Sequence, residues 1–137
     1  MRRIFDHLDL RVSSIAKARP FYERFLAAVG LGVGRWGDDW GNVGAHDYDH
    51  PKPPFVYLVE QPGHRGNANR IAFWLDTEQE VNVAAEVVRA AGGLLIEGPE
   101  YCHDYSPGYY AVFFEDTDGN QWEICCRTAP VRPNPAP

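Results

Sequence analysis

The sequence predicts an α+β fold in which two tandem βαβββ modules form curved mixed sheets around a cup-shaped cavity. Each half of the chain opens with an alternating strand, continues into an Ala-rich helix that ends at glycine, and returns through further strands. Equivalent residues of the two halves are 63 positions apart, namely His7 and Arg70, Glu23 and Glu86, and Gly30 and Gly93. A constant offset is what duplication of one supersecondary unit produces.

In the first copy, residues 4–12 alternate between apolar and polar side chains, which predicts a strand. Ser13 or Ser14 is placed to cap a helix that ends at Gly30. Residues 32–50 are rich in Gly, Trp and Asp, which favours two short strands joined by turns. The β-forming run 55–60 then predicts the last strand of the copy.

The second copy repeats this plan after a loop at 61–68. A strand from Arg70 leads to a helix that begins at Asp76 or Thr77 and ends before Gly92. A short strand, a loop over 98–108 and a hairpin with its turn at 116–120 complete the copy. We therefore predict one domain over residues 1–137, with module one at about 4–60, module two at about 69–127 and a Pro-rich tail at 128–137. A neighbouring chain is one candidate for holding that tail.

Charge and composition narrow the class of partner. A net charge of −6 and a pI near 5.3 argue against nucleic acid and anionic membranes, both of which require a basic surface. No stretch is long and apolar enough for a membrane span. The three cysteines, of which Cys125 and Cys126 are adjacent, fit no disulfide framework. These features predict a cytoplasmic protein that binds a small molecule.

Ionisable side chains alternate onto one face of the predicted strands. Because neighbouring strand residues point to opposite faces, His7 and Asp9 share one face of the first strand, as Arg70 and Trp74 do in the second copy. By the same alternation Glu123 should share the corresponding face of the last strand. Burying such groups is costly unless they are paired or bind a ligand. The pattern predicts a cavity on which His7, Arg70 and Glu123 converge.

The sequence resembles the vicinal oxygen chelate superfamily, which includes glyoxalase I, extradiol dioxygenases, fosfomycin-modifying enzymes and bleomycin-resistance proteins. The resemblance is carried by Phe5-Asp6-His7-Leu8-Asp9-Leu10-Arg11-Val12, Phe21-Tyr22, Arg70-Ile71-Ala72-Phe73, and the segment from Pro107 to Ile124. It implies a divalent metal such as zinc, nickel, manganese or iron, held by a histidine on the first strand of each copy and a glutamate on the last strand. Carried over, these positions are His7, Arg70 and Glu123, and the fourth ligand of glyoxalase I falls on Tyr57 or Glu60.

Arg70 stands where the resemblance expects a histidine. Arginine is a permanent cation that repels a metal ion, so one hypothesis is an Arg70–Glu123 ion pair in a metal-free pocket. The other hypothesis keeps the metal on His7 and Glu123, with Glu60 or a loop histidine completing the set while Arg70 turns away. His46 and His50 match no established ligand spacing, and solvated loop residues are the simpler interpretation.

The remaining candidates are aromatic side chains and one loop histidine. Candidate substrate-binding residues are Tyr57, Trp74, His103, Tyr105 and Tyr109. Several rings suit a planar or apolar ligand. His103 is also a candidate proton-transfer group in a loop over the cavity mouth.

Two functions follow from these candidates. The first is a glyoxalase-like lyase or isomerase in which a metal or Arg70 polarises a carbonyl or enolate oxygen and Glu123 or Glu60 moves a proton. The second is a non-catalytic protein of the antibiotic-sequestering, bleomycin-resistance kind that binds its ligand without metal. In either case we expect a homodimer, because short sheets leave edges and apolar surface to cover.

Overall fold

The computed structural model describes residues 3–44 and 53–135, and the chain divides into two compact units, Met1–Arg65 and Gly66–Pro137. Each unit holds a four-stranded mixed sheet and one helix in the order βαβββ. The α+β class and the duplicated module are confirmed. The expectation that the two sheets surround one cavity stays a prediction.

The first unit contains one sheet and the helix α1. Its elements are β1 (His7–Val12), α1 (Ile15–Ala28), β2 (Gly34–Trp36), β3 (Trp40–Val43) and β4 (Phe55–Glu60). The strand order is β1-β4-β3-β2, with β1 parallel to β4 and the other pairs antiparallel. Two short strands were expected within residues 32–50 and are found, whereas His46 and His50 lie outside the described residues.

The second unit repeats this topology. Its elements are β5 (Arg70–Trp74), α2 (Glu78–Ala90), β6 (Leu94–Tyr101), β7 (Tyr110–Glu115) and β8 (Gln121–Cys126). The order is β5-β8-β7-β6, and β5 runs parallel to β8. Among the described residues, neither helix has the length and apolar character needed to cross a bilayer.

Side-chain caps fix where both helices begin. The hydroxyl of Ser14 accepts a hydrogen bond from the backbone N–H of Lys17 at 3.2 Å, and that of Thr77 accepts one from Glu80 at 3.1 Å. Each cap satisfies one of the N–H groups that a helix leaves without an internal partner. Of the alternatives that the sequence left open, the structure selects Ser14 and Thr77.

Each helix covers one face of its own sheet and leaves the opposite face without a helix of that unit. The helix α1 packs on β3 and β4, and α2 packs on β6, β7 and β8. In the second unit, Trp122 and Ile124 of β8 and Phe114 of β7 are fully buried on the helix side. Burial of each such side chain contributes about 1.5–3 kcal/mol. The alternate residues of the same strands therefore form what we call the open face of each sheet.

One strand boundary differs from the expectation. The sequence predicted a loop from Gly98 onward, but β6 continues to Tyr101 through register shifts between Leu95 and Glu97 and between Glu97 and Glu100. Gly98 has a φ of +84°, and a Cβ at this position would lie 2.3 Å from the carbonyl oxygen of Ala111. Glycine therefore allows an irregular strand here, where the Gly-Pro pair suggested a break.

The C-terminal tail is held by its own chain. Asn134 accepts a hydrogen bond from the backbone N–H of Tyr101 at 2.6 Å and donates one to its carbonyl at 3.2 Å. Arg132 contacts the hydroxyl of Tyr101 and the carboxylate of Glu78. The suggestion that a neighbouring chain holds the tail is thus not required for residues up to 135.

Candidate functional site

Strand register brings three chemically distinct side chains together on the open face of the second sheet. Glu123 of β8 lies opposite Phe113 of β7 and beside Ala72 of β5. Arg70 is two residues before Ala72 and shares its face because strand side chains alternate. The parallel pairing of β5 with β8 and the hairpin turn between β7 and β8 together create this arrangement.

Arg70 and Glu123 form an ion pair. The Nε atom of Arg70 lies 3.7 Å from Oε1 of Glu123, and the guanidinium carbon lies 4.5 Å from the centre of the Phe113 ring. The Arg70 side chain is 39% exposed, whereas that of Glu123 is 7% exposed. A buried carboxylate needs a compensating charge, and the weakly hydrated guanidinium supplies it while stacking on an aromatic ring. The ion pair that the sequence suggested is therefore present.

The second oxygen of Glu123 is also engaged. The hydroxyl of Tyr109 donates a hydrogen bond to Oε2. Burial raises the pKa of Tyr109 well above its ordinary value, and the hydrogen bonds to Glu123 and Cys125 raise it further. Tyr109 thus remains a neutral donor at physiological pH and fixes the orientation of the carboxylate.

These residues do not fit a divalent metal. One oxygen of Glu123 faces Arg70 and the other accepts from Tyr109, so binding a cation would break an ion pair and a buried hydrogen bond. Arginine carries a permanent positive charge and cannot act as a metal ligand. Within residues 3–44 and 53–135, no three His, Cys, Asp or Glu side chains are placed to hold an ion. Glu123 is therefore committed to Arg70 and Tyr109.

A cavity of about 290 Å³ lies beside this ion pair in the same unit. Its lining residues come from β6, β7 and the loop that follows β6; they are Glu97, Glu100, Tyr101, Cys102, His103, Asp104, Tyr105 and Phe113. Phe113 borders the cavity and also carries the Arg70 guanidinium on its ring. The cavity and the ion pair therefore share one aromatic residue.

The cavity wall is acidic. Three of its lining residues carry carboxyl groups, Glu97, Glu100 and Asp104. A hydrogen bond with the Glu97 side chain raises the pKa of Glu100, and burial adds to the effect. Neighbouring carboxylates repel each other. A ligand that supplies a positive charge or N–H donors would relieve this repulsion.

Two of the predicted ligand-binding residues line this cavity. Tyr105 is 58% exposed, and its ring meets the edge of Tyr109 at 5.2 Å. His103 stacks on Tyr101 at 5.3 Å, and its Nε2 donates to the carbonyl of Arg132 at 3.1 Å. That contact occupies one ring nitrogen of the residue suggested for proton transfer.

Trp74 lies on the same open face but outside the cavity lining. It is 51% exposed, and its indole N–H donates to Asp76 at 2.8 Å. This contact keeps the indole near the C-terminal end of β5, away from the wall formed by β6. Its assignment as a ligand-binding residue stays a prediction.

In the first unit, His7 and Tyr57 both lie on the open face. His7 stacks on Phe55 at 4.7 Å between ring centres, and its Nδ1 donates to Asp6 at 2.7 Å. Tyr57 stacks on Trp40 at 6.3 Å. The roles of His7 as a metal ligand and of Tyr57 as a ligand-binding residue stay predictions.

Glu60 occupies the opposite face, and its suggested catalytic role stays a prediction. It lies two residues beyond Leu58, which is fully buried on the helix side, and its Oε1 accepts a hydrogen bond from the backbone N–H of Ile15 at 2.9 Å. Glu60 therefore satisfies the first turn of α1, where a negative charge is favoured by the helix dipole. The register pairs Tyr57 with Asp9 just as Glu123 pairs with Ala72, so Tyr57 is the structural counterpart of Glu123.

Sequence reasoning missed the side chains that form most of the cavity. Phe113 was identifiable, because the hairpin turn after Glu115 sets a register that places Phe113 opposite Glu123. Glu97 and Glu100 could not be identified from the sequence, since the irregular strand around Gly98 changes which face each residue occupies.

Comparison with known proteins agrees with this architecture. A sequence model of the Glyoxalase/Bleomycin resistance protein/Dioxygenase superfamily matches residues 4–124. No curated protein matches the chain significantly.

Solved structures with similar folds share little sequence with this chain. A glyoxalase/bleomycin resistance protein from Albidiferax ferrireducens T118 is 20% identical, with 91% of this chain and 99% of that chain covered and a TM-score of 0.72. The fosfomycin resistance protein FosX from Mesorhizobium loti is 16% identical, with 92% and 93% covered and a TM-score of 0.64. A glyoxalase/dioxygenase from Nostoc punctiforme is 20% identical, with 90% of each chain covered and a TM-score of 0.64. At these identities the similarity shows the fold alone.

Proposed function

Because this chain belongs to the Glyoxalase/Bleomycin resistance protein/Dioxygenase superfamily, we propose that it binds a small organic molecule, without a metal ion, on the open face of its second unit. The observation that carries this proposal is the Arg70–Glu123 ion pair, 3.7 Å between Nε and Oε1. The pair supplies internally the positive charge that a bound cation would otherwise provide. The adjoining cavity then becomes the site for the ligand.

The cavity favours a ligand with one flat apolar part and one positively charged part. Phe113 and Tyr105 offer rings against which a planar group can pack. Glu97, Glu100 and Asp104 form the acidic wall that would pair with an ammonium or guanidinium group. A volume of about 290 Å³ lies near the lower end of the range for small-molecule sites. The ligand class is therefore a small aromatic or heteroaromatic amine, or such a moiety of a larger molecule.

A direct test uses protein treated with chelator and dialysed. A panel of small aromatic amines and the equally sized aromatic carboxylates would be screened by thermal shift, and hits measured by calorimetry with and without EDTA. We expect amines to bind with an affinity that EDTA does not change, and carboxylates to bind more weakly. Binding that requires added zinc, nickel, manganese or iron would contradict the proposal.

Matched variants would locate the site. Glu100→Gln removes a charge from the cavity wall and should weaken amine binding by roughly tenfold, the typical effect of losing one charge-assisted hydrogen bond. Glu86→Gln is the control, because Glu86 lies on the exposed surface of α2 and pairs with Arg89. Equal affinity of both variants would place the ligand elsewhere.

A second candidate is a metal-free lyase or isomerase reaction in which Arg70 stabilises negative charge on a carbonyl or enolate oxygen. It is favoured by the 39% exposure of the Arg70 side chain, which leaves guanidinium N–H groups available to a substrate oxygen. Turnover of a carbonyl substrate by chelator-treated protein, lost in Arg70→Lys with binding retained, would support catalysis. Binding of carbonyl compounds without turnover of any of them would support a protein that sequesters its ligand without catalysis.

The edge strand β6 supports a homodimer. Leu94 and Ile96 on this strand are 61% and 57% exposed, and exposed apolar edges are commonly covered by a partner. We expect light scattering at micromolar concentration to give twice the mass of one chain. The variant Ile96→Lys should give a lower mass, because a charge on the exposed strand would weaken the dimer. A monomeric wild type would contradict the dimer.

A further inference from the structure

The C-terminal tail contacts both ends of the loop that forms one wall of the cavity. We define the wall loop as residues 102–108 and the strap as residues 129–134. Cys102, His103, Asp104 and Tyr105 of the wall loop line the cavity. The strap lies outside the cavity lining, so its effect on a ligand would act through the loop.

At the start of the wall loop, Asn134 binds the backbone of Tyr101 on both sides. Its side-chain carbonyl accepts from the N–H at 2.6 Å, and its amide donates to the C=O at 3.2 Å. This is the pair of hydrogen bonds that a neighbouring strand would make to an edge residue. Asn134 therefore fixes the last residue of β6 at the point where the chain enters the loop.

Arg132 of the strap connects Tyr101, the last residue of β6, to the helix α2. The guanidinium of Arg132 donates to the hydroxyl of Tyr101 at 3.1 Å and to the carboxylate of Glu78. The hydroxyl of Tyr101 in turn donates to Glu78 at 2.8 Å. The carbonyl of Arg132 accepts from Nε2 of His103 within the loop. The strap thus contacts a helix, a strand end and a cavity-lining side chain.

At the end of the wall loop, the strap approaches the backbone directly. Gly108 has a φ of +77°, and a Cβ there would lie 2.7 Å from the carbonyl oxygen of Ala129. Ala129 itself is 7% exposed. Only glycine accommodates both the dihedral angle and the close approach. The two ends of the loop are therefore held by the two ends of the strap.

We infer that Asn134 is a positioning residue that, through Tyr101, holds the wall loop in the conformation that completes the ligand cavity. The loop in turn orients Tyr105 against Tyr109, whose hydroxyl holds Glu123. Loss of the strap should open the loop locally while the core of the unit persists, because the strap residues 131–134 are exposed. This inference rests on the proposed function for its ligand, but its structural part needs no ligand.

The test follows the thiol of Cys102, which lies in the wall loop, in the full-length chain. Asn134→Ala should increase the rate of Cys102 alkylation and the hydrogen exchange of amides 101–109 by roughly fivefold or more, as expected for the loss of a two-hydrogen-bond anchor. Val131→Ala alters an exposed side chain of the same segment and should leave both rates unchanged. Val88→Ala, a fully buried change in α2, controls for a general loss of stability.

Unchanged alkylation and exchange in Asn134→Ala, and in the double variant with Arg132→Ala, would overturn the inference. So would equal acceleration in Val88→Ala at a temperature where each variant is folded by circular dichroism. Affinity for the tightest-binding aromatic amine of the thermal-shift panel should fall by roughly fivefold in Asn134→Ala, in parallel with loop opening. Faster alkylation with unchanged affinity would support the role of Asn134 in holding the wall loop but contradict the proposed ligand cavity.

Discussion

Arg70 and Glu123 face each other across the open side of the second sheet, with 3.7 Å between Nε and Oε1. Arg70 begins the strand on which the resemblance to the vicinal oxygen chelate superfamily places a metal-binding histidine. Its guanidinium lies over Phe113, and Tyr109 holds the other oxygen of Glu123. A cluster of one cation, one carboxylate and two aromatic rings therefore lies where the resemblance places metal ligands of this unit.

The hydrogen bond from Tyr109 to Glu123 predicts a specific pH dependence. Tyr109→Phe should lower the free energy of unfolding at pH 7 by about 1.5–3 kcal/mol, since it removes a buried hydrogen bond to a charged group. The pKa of Tyr109 is raised in the folded state, so the folded protein keeps a proton that the unfolded chain loses above pH about 10. Tyr109 therefore contributes its stability below that pH and loses it as the pH rises further.

Urea unfolding at a series of pH values checks this prediction. The stability gap between wild type and Tyr109→Phe should narrow above pH about 10. Tyr105→Phe, which alters an exposed hydroxyl, is the control and should follow the wild type. A gap that widens in alkali would show that the hydroxyl does not bind Glu123 as described.

Cys102 should react slowly for a partly accessible thiol. Burial raises its pKa to about 11, and the nearby carboxylates of Glu100 and Glu97 add to the effect. The rate of alkylation should therefore climb about tenfold per pH unit from pH 7 to 9 without levelling off, because the thiolate fraction keeps increasing. Peptide mapping should find the label on Cys102, since Cys125 and Cys126 are buried.

The Glu100→Gln variant sharpens this measurement. It removes one of the carboxylates that raise the thiol pKa, so alkylation at pH 8 should accelerate. A bound amine ligand should protect the thiol in the wild type, because Cys102 lines the cavity. A rate that levels off near pH 8.5, as for an ordinary thiol, would contradict the described surroundings of Cys102.

Glu60 should matter for stability and not for ligand binding. Glu60→Ala removes the acceptor for the backbone N–H of Ile15 and should cost about 1–2 kcal/mol, in the range of a lost helix cap. Thr77→Ala removes the corresponding cap of α2 and should cost a similar amount. Thermal unfolding and ligand calorimetry on both variants check this. A large loss of affinity in Glu60→Ala at unchanged stability would return Glu60 to the functional site.

Sequence periodicity predicted the fold because each element carries a strong local signal. Alternation in β1 and β5, capping serine and threonine, and glycines after both helices define two copies of one module. The Arg70–Glu123 pair was one of two hypotheses that strand parity and the resemblance offered, since both residues lie on the side of the sheet opposite α2. These features depend on neighbours within a few residues or on one strand register.

The cavity wall did not follow from the sequence, because it depends on contacts between distant segments. The irregular course of β6 at Gly98 resets the face of Glu100, and no local pattern reveals that shift. The tail reaches Tyr101 through Asn134, 33 residues away in sequence. The sequence also left open whether Tyr57 or Glu60 corresponds to Glu123, because the 63-residue offset holds for the first strand and helix but not for the last strand.

The central claim, that Arg70 makes this site independent of metal, is tested most directly by calorimetric titration of zinc into wild type and Arg70→His. The variant replaces a repelling cation beside Glu123 with a potential ligand, so it should bind zinc at least about tenfold more tightly, equivalent to about 1.4 kcal/mol. Arg70→Gln, which removes the charge without adding a ligand, separates the two contributions. We predict weak, non-stoichiometric binding by the wild type. Tight stoichiometric binding by the wild type would contradict the account.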